Sequence, residues 1–183
     1  AGNQQRAVDG LYAALAHTTA TNGGFETGVR VYGSRAVDDN MTPHGWFAAE
    51  YVSLLRNMLV RERPEGGIAL MSALSPSWLR PGEVVSMRDA PTTYGKVSFT
   101  LRPTDDGARL EWHADVPDGT AIRWPLPDFA KDVKADHLEK GGRSILLPSR
   151  SGALSVKWKL DRYGASFAHE VQELRAAYGR RGK

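Results

Sequence analysis

The most constraining stretch of this chain is Pro43 to Val60, which reads His44-Gly45-Trp46-Phe47-Ala48-Ala49-Glu50-Tyr51-Val52-Ser53-Leu54-Leu55-Arg56-Asn57-Met58-Leu59-Val60. Its length and composition call for a helix, and Thr42-Pro43 ahead of it reads as an N-cap with proline at the first helical position. Only Glu50, Ser53, Arg56 and Asn57 interrupt the hydrophobics. A helix packed on one side keeps a polar face, so a helix apolar on most of its circumference needs neighbours on most sides. The first helix of the chain and a sheet can supply only part of that cover. The expectation is that further neighbours come from upstream chain or from another subunit.

The rest of the chain divides around this helix. Upstream, Ala7, Val8, Leu11, Tyr12 and Leu15 recur at spacings of three and four, giving an amphipathic first helix. Thr21-Asn22-Gly23-Gly24 ends it, with the glycines expected to take positive φ. Downstream, from Ile68 to Leu160, short apolar runs alternate with turn residues. Seven strands are expected, at 68–74, 83–88, 96–102, 108–116, 121–126, 144–147 and 153–160. Val97-Ser98-Phe99-Thr100-Leu101 and Leu154-Ser155-Val156-Lys157-Trp158 alternate as half-buried strands do. Asp105-Asp106-Gly107, Pro117-Asp118-Gly119 and Gly141-Gly142 mark turns. Such a series reads as an antiparallel β-sandwich. Residues 128–140 carry charge and little pattern. Tyr163 to Tyr178 reads as a closing amphipathic helix with Phe167, Val171, Leu174 and Ala177 on one face, ahead of a basic tail. The fold class expected is therefore α+β: a helical segment over 1–65, a β-sandwich over 66–161, and a helix with its tail over 162–183.

Composition narrows the function. The 183 residues are 41% hydrophobic and 25% charged, an ordinary globular balance. Cysteine is absent, which excludes thiol catalysis, disulfides and zinc-thiolate sites. Lys and Arg number 24 against 21 Asp and Glu, with signs interspersed and no basic stripe, so nucleic acid is not an expected partner. No run is long and apolar enough for a membrane span. No two-histidine helical pair, calcium loop, phosphate-binding loop or nucleophile elbow is present, and neither a metal nor a cofactor is expected.

Chemistry concentrates between the first two helices, in Asn22-Gly23-Gly24-Phe25-Glu26-Thr27-Gly28-Val29-Arg30-Val31-Tyr32. The connection is long for a helix pair, and long ordered loops serve function more often than packing. Glycines surround one carboxylate, Glu26, with Arg30 and Tyr32 close by. Asp38, Asp39, His44 and Trp46 then gather at the start of the second helix. Carboxylate, imidazole, guanidinium and indole together suit a sugar, whose C–H face stacks on an indole while its hydroxyls need directed polar partners. The plainer reading makes Trp46 a core anchor and His44 a capping residue. Trp112, Trp124 and Trp158 fall in strands and read as sandwich core, with Trp112 and His113 on opposite faces.

The segment from Pro43-His44-Gly45-Trp46 through Leu55-Arg56-Asn57-Met58-Leu59-Val60-Arg61-Glu62 resembles the closing helix of bacterial glycoside hydrolases built on an (α/α)6 toroid. Ser77-Trp78-Leu79-Arg80-Pro81-Gly82-Glu83 and Ala90-Pro91-Thr92-Thr93-Tyr94-Gly95-Lys96-Val97-Ser98 are similar to the β-sandwich that trails such toroids. The resemblance runs in order and texture over most of Leu11 to Leu160. It implies an inverting mechanism, in which one carboxylic acid protonates the leaving oxygen and a second carboxylate activates water. It makes Glu26 the candidate general base and Arg30, Tyr32, His44 and Trp46 candidate sugar contacts. It further implies a C-terminal portion of a carbohydrate-active hydrolase, with the acid partner in upstream chain and a secreted or periplasmic location. The alternative function is a non-catalytic carbohydrate-binding or protein-interaction module.

Overall fold

The computed structural model describes residues 4–19, 21–26 and 41–161, together with the isolated positions 172 and 176. Arg30, Tyr32, Asp38 and Asp39 lie outside the described residues, as does nearly all of the closing helix expected over 163–178. What is described is α+β: two helices and a mostly antiparallel, sandwich-like pair of sheets.

α1 spans Gln4–Ala16 and buries Val8, Leu11 and Tyr12, the stripe its spacing anticipates. α2 spans Gly45–Leu59. Its first residue comes two positions later than the Thr42-Pro43 signal suggests, and His44 holds the N-cap position without a capping side-chain bond. It also ends earlier than the apolar run. At Val60 the backbone turns extended and continues directly into a strand.

Among the described residues nine strands form two sheets. The first contains β1 (Val60–Glu62), β2 (Ile68–Leu70), β6 (Ile122–Pro125) and β8 (Ser144–Leu146), in the order β1-β2-β6-β8. The second contains β3 (Val85–Thr92), β4 (Gly95–Thr104), β5 (Gly107–Asp115), β9 (Ser151–Leu160) and β7 (Ala130–Ala135), in the order β3-β4-β5-β9-β7. The expectation of a wholly antiparallel sandwich needs one correction, because β2 and β6 run parallel. Two strands also escape the sequence reading. β1 hides at the end of a helical pattern, and β7 lies in the charged stretch after Asp128. Its burial pattern has a single fully buried residue, Ala130, so it carries almost no apolar alternation.

One core joins the two sheets. Trp124, Ile68, Leu70, Ile122 and Ile145 come from the first sheet, and Val97, Phe99, Leu101, Leu110 and Val156 from the second, all at 3% exposure or less. The indoles of Trp124 and Trp158 meet edge to face at 5.7 Å across it. Burying each large apolar side chain contributes about 1.5–3 kcal/mol. The β4–β5 hairpin turns through Asp105 and Asp106, and a Cβ on Gly107 would lie 1.9 Å from the Val156 carbonyl oxygen of β9. That approach admits only glycine.

A smaller cluster joins the helices to the first sheet: Val8, Leu11, Tyr12, Met58 and Ala73, with Tyr51, Leu54 and Leu55 partly buried around it. Its polar centre is the Tyr12 hydroxyl, 2.7 Å from Ser75 Oγ and 3.1 Å from Ser77 Oγ at the 3-10 turn Pro76–Leu79. Arg56 adds a tie from α2 to the carbonyl of Pro91 in β3.

α2 is covered only in part, as its apolar circumference anticipates for a helix with this few neighbours. Only Met58 and Leu59 are fully buried along it, while Trp46 is 77% and Val52 64% exposed. Met41, just ahead of the helix, is exposed as well. The apolar circumference is thus only partly covered.

Candidate functional site at the start of the second helix

The chain leaving α1 is folded back on itself before it reaches Glu26. Asn22 N–H donates to the Thr19 carbonyl, Thr19 N–H to the Gly23 carbonyl, and Gly23 N–H to the Thr19 hydroxyl at 2.8 Å. The positive φ here belongs to Asn22, at 60°, and not to the glycines. Asparagine tolerates that region because its short polar side chain adds little steric cost. Gly24 serves a different purpose. A Cβ on it would lie 1.8 Å from the Phe47 ring, so the missing side chain is what lets the loop press against α2.

Residues 24–26 then run alongside 41–44. His44 N–H donates to the Gly24 carbonyl at 3.0 Å, and Glu26 N–H to the Met41 carbonyl at 3.3 Å. These two bonds carry Glu26 and His44 to the same place. Glu26 Oε1 lies 3.9 Å from His44 Nε2, with the carboxylate side chain 37% and the imidazole 18% exposed. The separation exceeds a hydrogen bond but lies within electrostatic reach. His44 Nδ1 is buried and has no hydrogen-bond partner. An unmade bond on a buried polar atom costs about 1–3 kcal/mol, so this nitrogen is poised to take a partner.

Trp46 stands at right angles to His44, with ring centroids 5.9 Å apart. At 77% exposure the indole is not part of the core that the described residues form. Behind it, Phe47 and Tyr51 stack at 6.2 Å along the inner side of α2, and burial raises the Tyr51 phenol above its ordinary pKa. The structure therefore brings three of the five expected site residues together: Glu26, His44 and Trp46. The remaining two, Arg30 and Tyr32, lie outside the described residues. An exposed indole flanked by an imidazole and a carboxylate can stack on an apolar ring face and direct hydrogen bonds to its substituents.

The sandwich offers no comparable aromatic platform among the described residues. Trp112, Trp124 and Trp158 are at most 6% exposed, and Trp112 Nε1 donates inward to the Ser149 carbonyl at 2.9 Å. His113 faces solvent, as alternation with Trp112 anticipates. Among the described residues no three His, Asp or Glu side chains form a group able to hold a metal ion, and no helix is long and apolar enough to cross a membrane.

A second polar concavity lies at the opposite end of α2, and the sequence reading missed it. A cleft of about 770 Å³ separates the helices from the outer face of the first sheet. Arg61, Arg63, Arg123 and Arg143 line it together with Glu65, Asp128 and Glu139. The available signal was the i, i+2 spacing of Arg61 and Arg63, but that signal means nothing until residue 60 is known to start a strand.

No family model, curated protein or solved structure matches the chain. Function is therefore argued from the two polar sites themselves.

Proposed function

We propose that this chain is a carbohydrate-contacting portion of a glycoside hydrolase, with the sugar seated on Trp46 and Glu26 as the catalytic carboxylate. The observation that carries this reading is the convergence of an exposed indole, a half-buried imidazole and a carboxylate at one helix start. The sequence resemblance to toroidal hydrolases supports it independently. In the inverting scheme Glu26 takes a proton from the attacking water while an acid on the other side of the bond protonates the leaving oxygen, about 6.5–9.5 Å away. His44, with Nε2 3.9 Å from Glu26, positions the carboxylate. Arg30 and Tyr32 are assigned to the same sugar by their place in the loop. The acid is assigned to further helices of the toroid, which would pack against the exposed face of α2 bearing Val52. The sandwich is the accessory domain of this arrangement, and a polysaccharide substrate implies a secreted or periplasmic protein.

The same apolar face favours one second reading, a protein-interaction module in which α2 meets another chain. The two are separated by the retardation of the chain in gels carrying soluble neutral polysaccharides. The first reading expects retardation by at least one polysaccharide and its loss, at least tenfold in affinity, in Trp46→Ala with the fold intact. Identical mobility of both proteins on every polysaccharide would remove the sugar and leave the interaction module. Catalysis is tested by Glu26→Gln in the hydrolytically active assembly, where turnover falls by several orders of magnitude; near-normal turnover removes Glu26 from the mechanism.

A further inference from the structure

The cleft at the far end of α2 has features that the packing of the fold does not explain. α2 is 15 residues long, about 22 Å, so this cleft is well separated from Glu26 and Trp46 at its start. The outer face of the first sheet builds its floor. The register pairs Arg61 of β1 with Ala69 of β2, and Ala69 with Arg123 of β6, so the two arginines flank one small residue on the same face. Arg63, two positions after Arg61, follows on that side, whereas Glu62 between them turns the other way and accepts from Thr93 N–H at 2.8 Å. Leu54 and Met58 of α2, with Leu126, supply an apolar wall.

The four guanidiniums are not equally satisfied. Arg123 pairs with Glu139 at 3.1 Å and Arg143 with Asp128 at 2.7 Å. Arg61 has no carboxylate within ion-pair distance among the described residues, and its Nε donates to the neutral Ser72 hydroxyl at 2.9 Å. Arg63 gives one terminal nitrogen to Glu65, while its Nη1 is buried with no hydrogen-bond partner. The β1–β2 turn pins this residue, since Arg63 N–H donates to the Gly67 carbonyl and Gly66 N–H to the Arg63 carbonyl. A buried guanidinium nitrogen without an acceptor is a costly arrangement that an anion relieves. Arg61, bonded only to a neutral hydroxyl, and Arg63, with one buried nitrogen lacking an acceptor among the described residues, line the same cleft, and guanidinium forks match the oxygens of an oxyanion.

We propose that this cleft is a binding site for a small molecule carrying one oxyanion, a carboxylate or a phosphate, on a compact apolar body. Arg61 and Arg63 hold the anion, Arg123 and Arg143 keep their structural carboxylates, and the body lies against Leu54, Met58 and Leu126. The site is independent of the sugar contact at Trp46.

Calorimetric titration of the 183-residue chain with inorganic phosphate and, separately, with benzoate tests this, with benzamide as the uncharged control. Saturable binding of phosphate, benzoate or both, none of benzamide, and at least tenfold weaker binding in Arg61→Gln and Arg63→Gln are expected. Arg102→Gln, on the exposed face of β4, should bind as the parent does. Preference for phosphate assigns a phosphate ester, and preference for benzoate a carboxylate. Absence of saturable binding in both arms overturns the proposal, as does equal weakening in Arg102→Gln. Should Arg63→Gln fail to fold, Arg61→Gln decides alone, since its side chain gives up only the bond to Ser72.

Discussion

The sandwich and the helical pair spend similar hydrophobic material in different ways. In the sandwich, apolar residues alternate along β4, β5 and β9, and each sheet covers the inward row of the other. Trp124, Leu101, Leu110 and Ile145 consequently vanish from solvent. In the helical pair, α2 is richer in apolar residues than β4, β5 or β9, yet Trp46 and Val52 stand in water. The difference teaches that hydrophobic content sets a demand for cover, while the number of neighbouring elements decides whether the demand is met. The two candidate sites sit at the two ends of α2, one of them floored by the outer face of the first sheet.

The largest test of this contrast is Trp124→Ala. Its indole is fully buried, and truncation should cost about 3–5 kcal/mol by denaturant titration; a loss below about 1 kcal/mol would mean that the sandwich is not the stable unit. Tyr12→Phe probes the seam between the regions. Removing the hydroxyl breaks its contacts with Ser75 and Ser77, which keep their own 2.8 Å bond, so the cost is that of a made hydrogen bond, about 0.5–1.5 kcal/mol. If the helices merely rest on the sheet, the melting curve will not move.

A smaller effect comes from the cleft. Burial opposes ionisation of Glu139, but hydrogen bonds from Arg123 and Ser144 and the charges of Arg123 and Arg63 outweigh it, holding the carboxyl below its usual range. A carboxylate whose pKa is depressed by folding contributes stability that is present above its unfolded value, near 4.5, and lost as pH falls through the folded value. Stability of the parent should therefore drop below about pH 4.5 more steeply than that of Glu139→Gln. Because the group is about one-third exposed, the difference will be modest. Parallel pH profiles would show that Arg123 and Glu139 are not coupled.

Much of this architecture can be read in the residues alone, and the limits are physical. α1, the strand series and the turn at Asp105–Gly107 follow from local periodicity and turn chemistry. β1 could not be read, because Met58-Leu59-Val60 satisfies helix and strand patterns alike and only pairing with β2 decides between them. β7 could not be read because an edge strand with one buried residue has no alternation to show. At the candidate site, the nearness of Glu26 to His44 was anticipated from the loop, and the exposure of Trp46 emerged only from the structure. The arginine cleft was illegible, since its arginines come from two strands, β1 and β6, and from the connections after β1 and before β8.

Taken by itself, the order of residues determined α1, the body of α2, the long strands of the second sheet and the turn at Asp105–Gly107, since those choices depend on neighbours a few positions away. Tertiary structure alone decided that β2 and β6 run parallel, that Val60 leaves the helix for a strand, and that four arginines surround one cleft. Each of these depends on which surfaces meet across tens of residues, and no local pattern encodes that meeting.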